Sequence, residues 1–215
     1  MLQTELYLAQ NQRWPKEGQH ILAQFNDEGV VVYQAYRPAI GHFAAEHQYF
    51  GGEFKMSRMS WIKPNFLWMM YRSNWGRSQG QEVVLAFRLK RTFFDSLLER
   101  AVPSSFAPTA FASDEQWKAA VAQSDVRLQW DPDHSPSGDK QERRAIQLGL
   151  RGESLDAFGK REIVEIIDMT DLVALGRDNA VKARFGNLMT PLERPYRPMR
   201  EEICQRIGLA PMPLA

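Results

Sequence analysis

The chain has 215 residues and a mass of 24.8 kDa, enough for one large domain or two small ones. Its 27 Lys and Arg against 26 Asp and Glu leave a net charge of +1, which argues against a general nucleic-acid binder and against an acidic tail protein. With 44% hydrophobic and 25% charged residues, wholesale disorder is excluded.

In chain order, MLQTELYLAQ lacks a basic stretch followed by an apolar run and does not read as a secretory signal. Residues 1–19 are expected at the periphery. His20–Phe25 and Val30–Tyr36 flank Asn26-Asp27-Glu28-Gly29, a hairpin turn by its chemistry. Alternation puts Val30, Val32, Gln34 and Tyr36 on one face of the second strand and Val31, Tyr33 and Ala35 on the other. Pro38 ends that strand, and Ala39–Tyr49 reads as a helix stopped by Gly51-Gly52.

Pro64 fits the first turn of a helix reaching Ser73 that is apolar almost all round, and so belongs in the core. Glu82–Leu89 reads as a buried strand leading into a helix at Thr92–Ala101. Ser113 with Gln116 starts a helix ending near Gln123. Val126–Trp130 and Arg144–Leu150 are strands joined by a polar loop, Asp131–Asp139, expected to be mobile. Ile163–Ile167 fits a strand or a helix start. Asp171–Ala183 and Met199–Ile207 are helical, and 208–215 is peripheral. The pattern is α+β in a single domain, with mostly antiparallel sheets and flanking helices rather than alternating βαβ units.

Dinucleotide, P-loop, nucleophile-elbow, zincin and kinase signatures are all absent. Cys204 is the only cysteine, which removes an internal disulfide and a thiolate zinc site and makes a reducing cytoplasm the expected compartment. The longest apolar runs fall far short of the roughly 20 residues that span a bilayer, so no membrane partner is expected. His42 and Glu46 share a helix face but lack a third ligand, and Asp131, Asp133, His134 and Asp139 read first as a solvated loop. No metal site is assigned.

The anomaly lies between Phe50 and Arg77: seven aromatics, four Met and five Lys or Arg, with Glu53 the only acid. Arg58, Lys63 and Arg72 crowd apolar surface, and half-buried cations need an anion, either a protein carboxylate or a ligand phosphate. Of the 27 basic residues, 19 are Arg, the side chain suited to bidentate anion contacts. Arg37 and Lys63 each precede a proline, which restricts the backbone that launches them. They are expected to converge on one pocket with Arg58 or Arg72 as a third wall. Arg143, Arg144 and Gln147 could face the same cleft.

Tyr33-Gln34-Ala35-Tyr36-Arg37-Pro38, the stretch from Arg58 to Ser73 with its Trp61-Ile62-Lys63-Pro64, Gln129-Trp130-Asp131-Pro132 and Arg144–Leu150 together resemble the signature stretches of the DUF4291 family, a domain of unknown function. The resemblance spans about residues 20–210. It implies a small single-domain protein and no particular activity. In the order of its site elements the chain also resembles ADP-ribosyltransferases, an analogy that implies NAD as cofactor. Arg37 would take the diphosphate, and Tyr36, Trp61 or Tyr71 would stack the nicotinamide. The late-strand carboxylate has Gln147 in its place, with Asp131 and Glu153 as substitutes.

The resulting expectation is an NAD- or nucleotide-binding enzyme with an ADP-ribosyltransferase-like cleft. Tyr36, Arg37, Arg58, Ser60, Trp61, Lys63, Tyr71 and Arg72 would bind a nucleotide-like anion, while Gln147, Asp131 and Glu153 would serve catalysis. The alternatives are a non-catalytic binder of RNA or single-stranded nucleic acid, and a structural or interaction protein whose aromatic segment is only core.

Overall fold

The computed structural model describes residues 2–108, 110–181 and 184–211. The chain opens with β1 (Thr4–Leu6), α1 (Tyr7–Arg13), β2 (Gly18–Gln19), β3 (Ile21–Ala23) and β4 (Gly29–Tyr36). Next come α2 (Pro38–His47), β5 (Ser60–Ile62), α3 (Phe66–Ser73), β6 (Val83–Lys90) and α4 (Arg91–Arg100). The middle of the chain forms β7 (Val102–Pro103), α5 (Asp114–Gln123), β8 (Val126–His134), β9 (Lys140–Leu150) and α6 (Gly152–Lys160). Last are β10 (Ile163–Asp168), α7 (Thr170–Val181), a 3-10 turn at Phe185–Asn187, β11 (Met189–Pro191), β12 (Arg194–Tyr196) and α8 (Glu201–Ile207). The architecture is α+β.

Two sheets carry the fold. In one, β4 and β10 flank β6, all antiparallel, with β4 and β6 in unbroken register from Gly29 opposite Lys90 to Tyr36 opposite Val83. In the other, the β8–β9 hairpin is central: β7 runs parallel to β8, while β2 and β5 pair with successive parts of the far edge of β9. The alternation predicted for β4 holds, and both of its faces are buried. Val30 and Val32 pack into a core between the sheets with Leu85, Phe87, Leu128 and Leu148. Val31 and Tyr33 pack into a second core with Phe66, Met70 and Trp75. A strand buried on both faces must be apolar along nearly its whole length, as this one is.

Several local expectations change. The Asn26 turn forms, its side chain accepting from Glu28 and Gly29 N–H groups at 3.1 and 2.8 Å. Beyond the Phe25–Val30 bridge, however, β3 leaves β4 and pairs with β12. The Asp131–Asp139 loop shrinks, because β8 continues to His134 and β9 begins at Lys140. Asp133 is buried there and ion-paired with Arg143 at 2.5 Å, so it cannot belong to a solvated cluster. Ile163–Asp168 is a strand. Of the predicted Asp171–Ala183 helix, residues 182 and 183 lie outside the described residues.

The first nineteen residues are not peripheral. Tyr7, Gln10 and Trp14 are buried, β1 pairs with β11, and the Trp14 indole donates to the Glu193 carbonyl at 2.8 Å. Helix α3 starts at Phe66, two residues after Pro64, which lies just before the N-cap and not in the first turn. Asn65 is its N-cap, accepting from Trp68 N–H at 2.6 Å, and the Glu193 carboxylate accepts from Phe66 N–H at 2.7 Å. Glu193 thus closes a helix start that is wholly inside the protein.

Burial pushes the Glu193 carboxyl well above its ordinary 4.5, with the Phe66 N–H opposing that shift. The folded value lies above the unfolded one, so the carboxyl's stabilising contribution is full below pH 4.5 and is lost as pH rises towards the folded value. Glu193→Gln keeps an acceptor for Phe66 and cannot ionise. Urea melts should show its stability gaining on the wild type as pH is raised from about 4.5 to about 8. Glu193→Ala should lose about 1–3 kcal/mol, because it strands a buried donor.

Candidate functional site

Strand β5 distributes the aromatic, cationic segment to two sides. Ser60 and Ile62 point towards the core between the sheets, and Trp61 and Lys63 towards the opposite face. The predicted residues therefore separate into two cavities. Tyr36, Arg37, Arg58 and Ser60 line one of about 460 Å3, together with Glu53 and Lys55. Trp61, Lys63, Arg72, Asp131 and Gln147 line another of about 430 Å3, joined by Trp68 and Gln129.

The expected convergence of Arg37 with Lys63 does not occur. Arg37 sits at the N-cap of α2 and forms an exposed ion pair with Glu53, its own local acid. Tyr36 and Ser60 of that cavity close a ring of hydrogen bonds with the buried Gln34: the Tyr36 hydroxyl donates to Gln34 Oε1 at 2.7 Å, the Gln34 amide donates to Ser60 Oγ at 2.7 Å, and the two hydroxyls lie 2.9 Å apart. Burial raises the Tyr36 phenol, so it stays neutral.

The second cavity has the more unusual chemistry. Lys63 is only 6% exposed, yet among the described residues no carboxylate lies within 4 Å of its amine. Its Nζ donates to the Trp61 carbonyl at 3.3 Å. Its backbone is fixed because Lys63 and Tyr33 exchange both main-chain hydrogen bonds, at 2.6 and 3.1 Å. Burial first, and then the Arg72 charge, push the amine down from 10.5 to about 8, with the Asp131 charge pulling the other way.

Across the cavity, Asp131 is gripped by two carboxamides. Gln129 donates to Oδ1 at 2.9 Å and Gln147 to Oδ2 at 2.7 Å. The β8–β9 register makes this possible by placing Gln129 directly opposite Gln147. Trp61 lies over Gly149, its cross-strand partner, where a Cβ would come within 3.0 Å of the indole. Helix α3 supplies the outer wall through Trp68 and Arg72. The Trp68 indole nitrogen is buried without a hydrogen-bond partner among the described residues. The Trp68 ring stacks on Tyr71 at 5.6 Å and on His134 at 5.3 Å.

Tyr71 therefore belongs to a neighbouring hollow of about 410 Å3, with its ring 3.5 Å from that of His134. Burial lowers the His134 imidazole, with Asp133 and the Pro132 carbonyl partly offsetting the shift. Glu153 stands exposed in the first turn of α6 and lines none of these cavities. Arg143 is committed to Asp133, and Arg144 faces the other side of the sheet, in a larger hollow of about 830 Å3 against α8. That larger hollow contains Arg206, whose guanidinium is occupied by the Leu98 carbonyl. His42 pairs at the surface with Asp168, and among the described residues no three His, Cys, Asp or Glu cluster as metal ligands. Sequence reasoning missed Gln129 and Trp68. Alternation along β8 puts Gln129 on the same face as Asp131, two residues on, and Trp68 reads as core.

A shift of the Lys63 amine from 10.5 to about 8 corresponds to about 3 kcal/mol held against the charged form. The folded value lies below the unfolded one, so this cost is full below pH 8 and is relieved as pH rises towards 10.5. Lys63→Met removes it. The variant should unfold at an equal or higher temperature at neutral pH, and the gain of wild-type stability between about pH 8 and 10.5 should disappear from calorimetric melts.

No helix among the described residues is long and apolar enough to cross a membrane. No curated protein matches the chain. Residues 20–196, which carry the two sheets apart from β2, the cavities lined by Tyr36 and by Lys63, and Glu193, match the Domain of unknown function (DUF4291), and the chain belongs to that family.

Proposed function

We propose that the protein binds a nucleotide-like anion, NAD foremost among the candidates, in the cleft of Lys63, Arg72 and Trp61. The observation that carries this reading is a buried ammonium facing a cavity with no carboxylate in contact among the described residues. Such a group is costly unless a ligand supplies the counter-charge. Phosphate oxygens suit Lys63 and the exposed Arg72, and a ring suits the half-buried Trp61. Asp131 gives the same cleft a carboxylate for ribose hydroxyls or for proton transfer.

The ADP-ribosyltransferase-like order of elements adds no support, since Arg37 and Gln147 line different cavities. Burial of Trp68 and Trp75, 5% and 7% exposed, favours a small molecule over a single strand of nucleic acid, which needs a run of open rings.

Isothermal calorimetry with NAD, ADP-ribose and ATP tests the reading. The anion binds the protonated amine, so affinity should fall about tenfold between about pH 7 and pH 9, and Lys63→Met should abolish both the binding and its pH dependence. No heat from any of the three at millimolar ligand would remove the proposal, because about 4 kcal/mol is the least such a site should give.

A further inference from the structure

We propose that Lys63 is a nucleophile whose amine condenses with the carbonyl carbon of an anionic aldehyde or keto acid held in the cleft, with Asp131 moving the proton. This rests on the same cleft as the anion-binding reading and adds covalent chemistry to it. An amine serves this way when it is partly unprotonated near neutral pH, reachable, and faced by a group that can exchange protons with it.

Each requirement has a structural counterpart. Lys63 lines the cavity, and its depth and the Arg72 charge both favour the free base. Its hydrogen bond to the Trp61 carbonyl uses an N–H and leaves the lone pair open. Asp131 lines the same cavity and influences the charge on Lys63, yet forms no ion pair with it within 4 Å. Gln129 and Gln147 hold the carboxylate in place from two sides. Arg72 forms no ion pair among the described residues, so its guanidinium is open to the substrate's own anionic group.

The step balances without an oxidant or reductant. The nitrogen lone pair attacks the carbonyl carbon, and Asp131 carries the first of the two amine protons to the oxygen, giving a neutral carbinolamine. Asp131 accepts a proton from nitrogen and returns it to the hydroxyl, which leaves as water while the C=N bond forms. Amine and carbonyl become imine and water.

Pyridoxal phosphate is a suitable probe, since it combines an aldehyde, a phosphate and an aromatic ring. The full chain is incubated with it at about pH 7.5, reduced with borohydride, digested and mapped by mass spectrometry. Lys63 should carry the reduced adduct at a rate about tenfold or more above that of exposed lysines such as Lys55 and Lys118, a margin expected from its larger free-base fraction. ATP should protect it, and Asp131→Asn should slow adduct formation by a larger factor than it weakens calorimetric binding of ATP. Adducts spread over exposed lysines with Lys63 unmodified, while ATP still binds, would overturn the nucleophile and leave the anion site standing. Loss of both labelling and ATP binding would overturn both.

Discussion

The pair of main-chain hydrogen bonds between Tyr33 and Lys63 is the constraint on which the arrangement turns. It joins the end of β5, which belongs to the hairpin sheet, to the middle of β4, which belongs to the other. Without that junction the two sheets would share only side-chain packing. With it, the residue at the junction is held at both its N–H and its carbonyl, and the following Pro64 keeps it extended. The side chain of Lys63 cannot swing out to solvent by rotating its backbone. An ionisable amine is thereby held below the surface next to Arg72, against both desolvation and like-charge repulsion.

The same junction explains why one cationic segment serves two cavities. An extended strand sends alternate side chains to opposite faces, so Ser60 and Trp61 cannot share a pocket. Gln34 and Tyr36 follow Ser60 to one side, and Asp131, Gln129 and Gln147 meet Trp61 and Lys63 on the other. Two hydrogen-bonded assemblies result, one of neutral hydroxyls and an amide, the other of a carboxylate and its carboxamides. Their chemistries differ because one faces the core between the sheets and the other an open cleft under α3.

Much of this was legible in the sequence, for reasons that can be named. The alternation of β4 and the apolar run of α3 were readable because burial leaves a local period. The cationic excess around Lys63 was readable because it lacks nearby acids. What could not be read was pairing across distance. Arg37 pairs with Glu53, the lone acid of the cationic segment, 16 residues further along the chain. Asp133 and Arg143 found each other because β8 and β9 extend further into a polar stretch than their apolar residues suggest. Gln147 meets Asp131 through strand register, and register has no signature in composition.

The N-terminal segment bears on where this fold ends. The matched stretch begins at residue 20, yet the Pro15 carbonyl accepts from the buried Arg143 at 2.6 Å, and the Trp14 ring lies 5.3 Å beneath the same guanidinium. Gln10 accepts from Glu193 N–H at 2.8 Å, close to the carboxylate that starts α3. Residues 14 and 15 thus supply part of the solvation shell of the buried Arg143 guanidinium, and Gln10 holds the backbone of Glu193. The boundary of shared sequence and the boundary of the cooperative unit are different lines, and a fragment cut at the first would expose the polar interior of the second.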